Sequence, residues 1–357
     1  MLENRQWVTE AIGLLEAEAH RSADTPLHRF MLPREWGIDL YLKDESVHPT
    51  GSLKHRLARS LLLYGLVGGR IGPDTTLVEA SSGSTAVSEA YFAQMLGLEF
   101  VAVMPASTSP DKIALIEAAG ARCHLVDDPL RLYDEAEQVA AETSGYYLDQ
   151  FLNAERATDW RGNNNIAESI FHQLGRERFP VPAAVVVGAG TGGTSATIGR
   201  YVRYRGHDTE VIVADSENSV FFPAWTARDR DMRLDAASKI EGIGRPRMEP
   251  SFLFEVVDEV LPVADADSVA AMRLLAETTS HHAGASTGTN LVGAFTVISR
   301  MRAAGRTGSV VTLICDQGRR YPTTYYDDDW VAAQGWDLTG ARGRLEQFLA
   351  TGRWDGA

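Results

Sequence analysis

Short apolar runs alternate with longer amphipathic stretches along most of this chain. Thr76-Leu77-Val78-Glu79-Ala80, Phe100-Val101-Ala102-Val103-Met104, Cys123-His124-Leu125-Val126, Ala183 to Val187, Val211-Ile212-Val213-Ala214 and Val310 to Ile314 read as strands, several apolar throughout. Helical periodicity spans about 85–96, 111–119, 130–143, 193–205, 266–279 and 289–303. Residues 4–20, with Trp7, Ile12, Leu14 and Leu15, read as an amphipathic helix, and Asp24-Thr25-Pro26-Leu27 marks a turn. Strand and helix follow each other at short, regular spacing. That rhythm predicts parallel βαβ units and an α/β fold.

Composition narrows the function classes. A chain of 357 residues is long enough for about two domains, and its 44% hydrophobic and 23% charged residues are ordinary for a globular protein. The net charge of −14 argues against nucleic acid and against anionic membrane surfaces, which both need a basic footprint. An anionic ligand must then be held locally, by backbone amides or a few placed cations. Cys123 and Cys315, each inside an apolar run, read as buried thiols rather than a disulfide framework. With a polar Met1 to Glu10 and no apolar run of membrane length, the expected compartment is the cytoplasm.

The stretch from Lys43 to Arg56 breaks the regular pattern. It leaves the alternating strand Ile38-Asp39-Leu40-Tyr41-Leu42, turns at Pro49 and Gly51, and reaches Ser52, which offers a cap to a helix bearing Leu57, Leu61 and Leu62. Lys54 then falls in the first helical turn, where the positive end of the macrodipole disfavours an ammonium and a desolvated lysine suits Schiff-base chemistry. The rival reading is a solvated surface lysine.

Three strand-to-helix turns carry further candidate chemistry. Gly188-Ala189-Gly190-Thr191-Gly192-Gly193-Thr194 lets backbone amides approach a phosphate at a helix start. Gly188, Gly190 and Gly193, with Asp215 after the next strand, fit a dinucleotide fingerprint; the Thr191 and Thr194 hydroxyls fit a terminal phosphate equally well. Glu79-Ala80-Ser81-Ser82-Gly83-Ser84-Thr85 forms a donor-rich nest suited to a carboxylate, or else Ser84 or Thr85 merely caps the helix. His281-His282-Ala283-Gly284-Ala285-Ser286-Thr287-Gly288-Thr289-Asn290 repeats the style. No carboxylate or cysteine accompanies its two histidines at ligand spacing, so they read as solvated loop residues and no metal is expected.

Taken together, these stretches resemble the cysteine synthase / cystathionine β-synthase family of pyridoxal-phosphate enzymes (fold type II), from Thr25-Pro26-Leu27 to about Tyr321. The family pattern Lys-x-Glu-x-x-Asn-Pro-x-x-Ser-x-Lys-Asp-Arg appears as Lys43 to Arg56, with His48 for the Asn and His55 for the Asp. By that match Lys54 is the Schiff-base lysine and the catalytic base. Gly190-Thr191-Gly192-Gly193-Thr194 matches the phosphate cradle, and Ser81-Ser82-Gly83-Ser84-Thr85 matches the substrate-carboxylate loop Thr-Ser-Gly-Asn-Thr, with Ser84 at the cofactor's ring oxygen. Gln150-Phe151 and Asn153 match Gln-Phe-x-Asn, whose glutamine helps hold the substrate. Lys239 to Gly244, with Gly242, matches the loop closing over it, and Ser286 falls on the serine facing the pyridine nitrogen.

The resemblance implies a tryptophan-synthase-β-like architecture of two parallel-type αβα domains. One is a smaller mobile domain over 46–153. The other is a larger cofactor-binding domain from 1–45 and 154–326. A C-terminal extension follows over 327–357, bearing Trp330, Trp336 and Trp354 and serving packing. It implies pyridoxal 5'-phosphate as cofactor, an amino-acid substrate and a homodimer. Arg245-Pro246-Arg247, the Trp160-Arg161-Gly162-Asn163-Asn164-Asn165 segment and the Asp327-Asp328-Asp329-Trp330 end resemble a bacterial subgroup of L-cysteine desulfhydrases. That implies β-elimination of sulfide from L-cysteine. The rivals are β-replacement on O-acetylserine or a related activated serine, and an idle cofactor-binding or partner-binding protein.

Overall fold

The computed structural model describes residues 2–22, 24–162 and 165–356; Asn163 and Asn164 of the Trp160 to Asn165 segment lie outside them. The strands, in chain order, begin with β1 (Leu27–Phe30), β2 (Ile38–Asp44), β3 (Leu77–Ala80), β4 (Phe100–Pro105) and β5 (Arg122–Val126). They continue with β6 (Tyr146–Tyr147), β7 (Ala184–Gly188), β8 (Glu210–Ser216), β9 (Glu259–Val263) and β10 (Gly308–Ile314). Two units divide the chain, Met1–Ala23 with His48–Thr158, and Asp24–Val47 with Asp159–Ala357.

The smaller unit carries a parallel sheet in the order β5-β4-β3-β6. Successive strand residues point to opposite faces, and both faces are covered, which is why these strands read as unbroken apolar runs. Leu77, Phe100, Ala102 and Met104 pack with Leu61, Leu62 and Phe92 of helices Lys54–Val67 and Ser84–Leu96. Val78, Val101 and Val103 face Ala136, Val139 and Ala140 of helix Leu132–Glu142. Helix Leu2–Arg21 adds Ala11 and Leu15 to the first of these clusters. Its apolar stripe thus places it with the smaller unit, where the resemblance groups 1–45 with the larger.

The larger unit holds the sheet β1-β2-β10-β7-β8-β9, parallel except for the antiparallel edge strand β1. Leu40, Leu42, Val186, Ile212 and Val310 pack against Leu291, Phe295 and Ile298 of helix Ala285–Ala303. Ala341, Leu345 and Phe348 of helix Leu338–Thr351 join the same core, with Phe348 stacked on Phe295 at 4.1 Å between centroids. The C-terminal residues therefore close this core. Helix Ala285–Ala303 starts four residues before the apolar periodicity predicts, so Ser286 lies in its first turn rather than in a preceding loop. Among the described residues, no helix is long and apolar enough to cross a membrane.

Candidate active site

In the smaller unit Lys54 is the first residue of its helix and is partly buried. The boundary residue is Leu53, not Ser52; Ser52 Oγ instead accepts the Lys54 amide at 3.3 Å. The next residue fixes that helix. His55 is wholly buried, facing Glu18 Oε1 through Nε2 at 3.1 Å and Thr50 Oγ1 through Nδ1 at 3.2 Å, with His48 stacked at 4.9 Å. Burial holds the His55 imidazole below its usual range, while Glu18 pulls the other way. Burial alone would raise Glu18, but His55 and Arg59 outweigh it and hold that carboxyl low. The histidines that replace the family's Asn and Asp thus anchor the Lys54 helix to the first helix.

Ser81 to Thr85 turns from β3 into helix Ser84–Leu96, whose boundary residue Gly83 supplies no side-chain cap. The boundary falls on Gly83 rather than on Ser84 or Thr85, and Thr85 Oγ1 is turned to Gln150, so the first turn presents amides that suit an anion. Thr85 Oγ1 donates to Gln150 Oε1 at 2.8 Å, both residues being buried. Ser82 lies partly buried within the same turn, and the Gly83 amide donates to Ser81 Oγ at 3.3 Å.

Behind this turn lies a buried acid pair that sequence reasoning missed. Glu79 accepts the Ala80 amide at 2.9 Å and the Gln150 amide at 3.0 Å, so it sets the height of Gln150 beside Thr85. Burial pushes Glu79 up to about 8, with Asp149 adding to the rise and those amides opposing it. Glu89, one helix face away, is fully buried beside Glu79; burial, then the charge of Glu79 and a side-chain hydrogen bond with it, raise Glu89 well above the carboxylate range. The one available signal was a charged residue in the middle of an apolar stretch.

In the larger unit β7 runs through Gly188 into helix Gly193–Arg205, with Gly192 as an uncapped boundary residue at φ +87°. A Cβ on Gly192 would sit 2.5 Å from the Phe252 Cα, so only glycine fits. A Cβ on Gly190 would run into the Gly242 carbonyl. Thr191 is buried and its Oγ1 accepts the Gly193 amide at 3.1 Å; Thr194 is partly buried in the first turn. The loop over 239–244 is held against this turn: Gly244 N donates to Ala189 O at 2.8 Å, and Tyr325 Oη accepts the Glu241 amide and donates to Lys239 O, both at 2.8 Å.

Ser286 is buried one turn from Asn290, and the helix start is fixed by Asp316, which accepts the Gly284 amide at 3.1 Å and the Tyr321 hydroxyl. Burial raises the Asp316 carboxyl, and Tyr321 opposes that rise. Tyr325 and Asp316 therefore support the candidate loops, although no local motif marks them. Lys43 and Glu45 of the lysine motif serve structure: buried Lys43 donates to Thr25 O at 2.6 Å and Gln173 Oε1 at 2.8 Å, and Glu45 accepts the Thr25 hydroxyl at 2.6 Å.

One sequence reading needs revision. Asp215, the candidate ribose-binding acid, is buried, raised by burial to about 7, and its Oδ2 accepts the Phe222 amide at 2.8 Å in helix Phe221–Ala227. It serves the chain's own helix, so the dinucleotide reading loses its acid. Arg245 and Arg247 of the subgroup-like segment both face buried Glu249, at 2.9 and 3.4 Å.

The parts present suit pyridoxal phosphate. Glycines with no room for a Cβ, two threonine hydroxyls and the start of a 13-residue helix leave a close approach in the larger unit that a phosphate would fit. The smaller unit offers a partly buried helix-start lysine and an uncapped turn for a carboxylate.

Comparison with known proteins agrees with that fit. Residues 20–316 match the family described as pyridoxal-phosphate dependent enzyme. The chain is 59% identical over 98% of its length to an L-cysteine desulfhydrase of Mycobacterium tuberculosis, covering 96% of that protein. It is 29% identical to cysteine synthase B of Campylobacter jejuni, over 82% of this chain and 92% of the other. Its fold is similar to that of O-ureido-L-serine synthase, with a TM-score of 0.76, 24% identity and coverage of 89% and 98% of the two chains.

Proposed function

Because the chain belongs to the family of pyridoxal-phosphate dependent enzymes, we propose that it is a carbon–sulfur lyase cleaving L-cysteine to hydrogen sulfide, pyruvate and ammonia. The observation that carries this reading is the 59% identity over 98% of the chain to a desulfhydrase. The cofactor supplies an electron sink for the pair left when the α-proton departs. Lys54 would hold it through Nζ, and the same Nζ, once free, would be the base that takes the α-proton. The thiolate leaves from Cβ, and water completes the conversion to pyruvate and ammonia.

The other residues bind and orient. Gly190, Thr191, Gly192, Gly193 and Thr194 hold the phosphate through amides and hydroxyls. Ser84 would meet the ring oxygen and Ser286 the pyridine nitrogen, where a neutral hydroxyl would supply no charge to keep that nitrogen protonated. Ser81, Ser82, Gly83 and Thr85 take the substrate carboxylate, with Gln150 beside them, and the Gly242 loop excludes water. The uncapped start of helix Ser84–Leu96 and the Thr85–Gln150 hydrogen bond support these roles. Assembly as a homodimer in the cytoplasm belongs to the same proposal.

The test compares two reactions in one preparation of holoenzyme. L-cysteine alone should yield sulfide, pyruvate and ammonia in equal amounts over many turnovers. If kcat/KM for O-acetylserine plus sulfide exceeds that for cysteine cleavage a hundredfold, about 2.7 kcal/mol in barrier, the enzyme is a synthase and the proposal fails.

A further inference from the structure

His281 is not alone. Its own turn, His281 to Asn290, holds no carboxylate, yet in the larger unit the fold brings His28 of β1 and Asp44 at the end of β2 to it. Their ligand atoms all lie within 4.8 Å of one another, and His28 Nε2 stands 3.4 Å from Asp44 Oδ2. We infer that His28, Asp44 and His281 form a binding site for one divalent transition-metal ion of the zinc class.

Each ligand is already oriented. His28 pairs with Leu42 in the antiparallel register, so Asp44, two residues on, shares its face of the strand pair. Asp44 is 3% exposed, and its Oδ1 is taken by the Ser46 amide at 3.0 Å and the Ser46 hydroxyl at 2.6 Å. That leaves Oδ2 toward His28.

The tautomer of His281 follows from its neighbour. The Thr279 hydroxyl spends its only proton on Leu275 O at 2.7 Å, so its oxygen must accept from His281 Nδ1 at 3.1 Å. Nε2 of a neutral ring then carries the lone pair that a metal requires, in the second-shell arrangement common to metal-bound histidines. The backbone around His281 is also held, by Gly318 N donating to His282 O at 2.8 Å and Gly284 N to Asp316. The end of helix Asp265–Thr279, two residues away, adds the negative pole of its dipole.

Two imidazoles and one carboxylate suit zinc, nickel, copper or iron rather than the oxygen-seeking calcium and magnesium. Tetrahedral zinc places neighbouring ligand atoms about 3.3 Å apart. The His28–Asp44 pair already has that spacing, and the 4.8 Å limit leaves His281 at most about 1.5 Å to close, within reach of side-chain torsions. Three protein ligands leave a position for water. An ion there would fasten the segment leading to Ser286 onto the β1–β2 pair.

The experiment titrates zinc into holoenzyme stripped with chelator, without substrate, by calorimetry, and repeats it with cobalt to read the visible d–d bands. One ion per chain is expected, with tetrahedral cobalt bands. His28→Gln and His281→Gln should each weaken binding at least tenfold, and Thr279→Val, which releases the ring, about tenfold or more. Equal binding by wild type and the His28→Gln/His281→Gln pair, or no uptake at tens of micromolar zinc, overturns the inference. If the His281 variant does not fold, His28→Gln decides alone, since His28 is a partly exposed residue of the edge strand β1.

Discussion

Replacing Gly190 by alanine is the sharpest test of the phosphate cradle. The added Cβ would lie closer than 3.0 Å to the Gly242 carbonyl oxygen and 3.3 Å from its carbon, both rigid backbone atoms. Ordinary contact begins near 3.4 Å, so the two loops must part by about 1 Å. The Gly242 loop cannot yield freely, because the Gly244–Ala189 hydrogen bond and the two bonds to Tyr325 hold it. Overpacking of this kind costs about 1–3 kcal/mol. Where that cost falls on the cofactor-binding conformation, affinity for pyridoxal phosphate drops about 5- to 150-fold. Titration of apoprotein with cofactor, followed by absorbance, measures it, with thermal unfolding of the apoprotein alongside. Gly83→Ala is the control: a Cβ there meets nothing within 4 Å. It should leave cofactor affinity and Tm unchanged while lowering kcat/KM for L-cysteine. A Gly190→Ala protein binding cofactor within twofold of wild type, at unchanged Tm, would refute the close-packed cradle.

Three further outcomes follow from the same geometry. Lys54→Ala should lose the borohydride-trappable cofactor link and several orders of magnitude of turnover, and a variant with near-full activity would remove Lys54 from the chemistry. Thr85→Val keeps the shape but leaves the Gln150 carbonyl without its donor, about 1–3 kcal/mol; kcat/KM for L-cysteine should fall about tenfold or more with cofactor affinity intact. Glu79, raised by burial from 4.5 to about 8, keeps its proton in the folded state over a range where the unfolded chain releases it. Its contribution is therefore complete below about pH 4.5 and is lost as pH climbs to about 8. Urea unfolding from pH 5 to 9 should show a flatter pH slope for Glu79→Gln than for wild type, and equal slopes would contradict the assignment.

What the sequence determined by itself was whatever is written in contiguous residues. Helix Gly193–Arg205 after an apolar strand, the glycine and threonine cradle, and Lys54 at a helix start are all local, set by backbone freedom, dipole and periodicity. The α/β class was equally legible, because parallel strands covered on both faces must be apolar throughout. Helix Ala285–Ala303 was read short because its first residues are small and carry no apolar stripe; they are helical because the turn is buried and pinned by Asp316. Only the tertiary structure could assign helix Leu2–Arg21 to the smaller unit, since an amphipathic stripe says that a face is buried but not against what. The same limit hid Glu79 beneath Gln150, which is 71 positions away in the chain, and Tyr325 behind the Gly242 loop. It also hid the gathering of His28, Asp44 and His281, because strand register and loop anchoring, rather than spacing along the chain, decide which side chains meet.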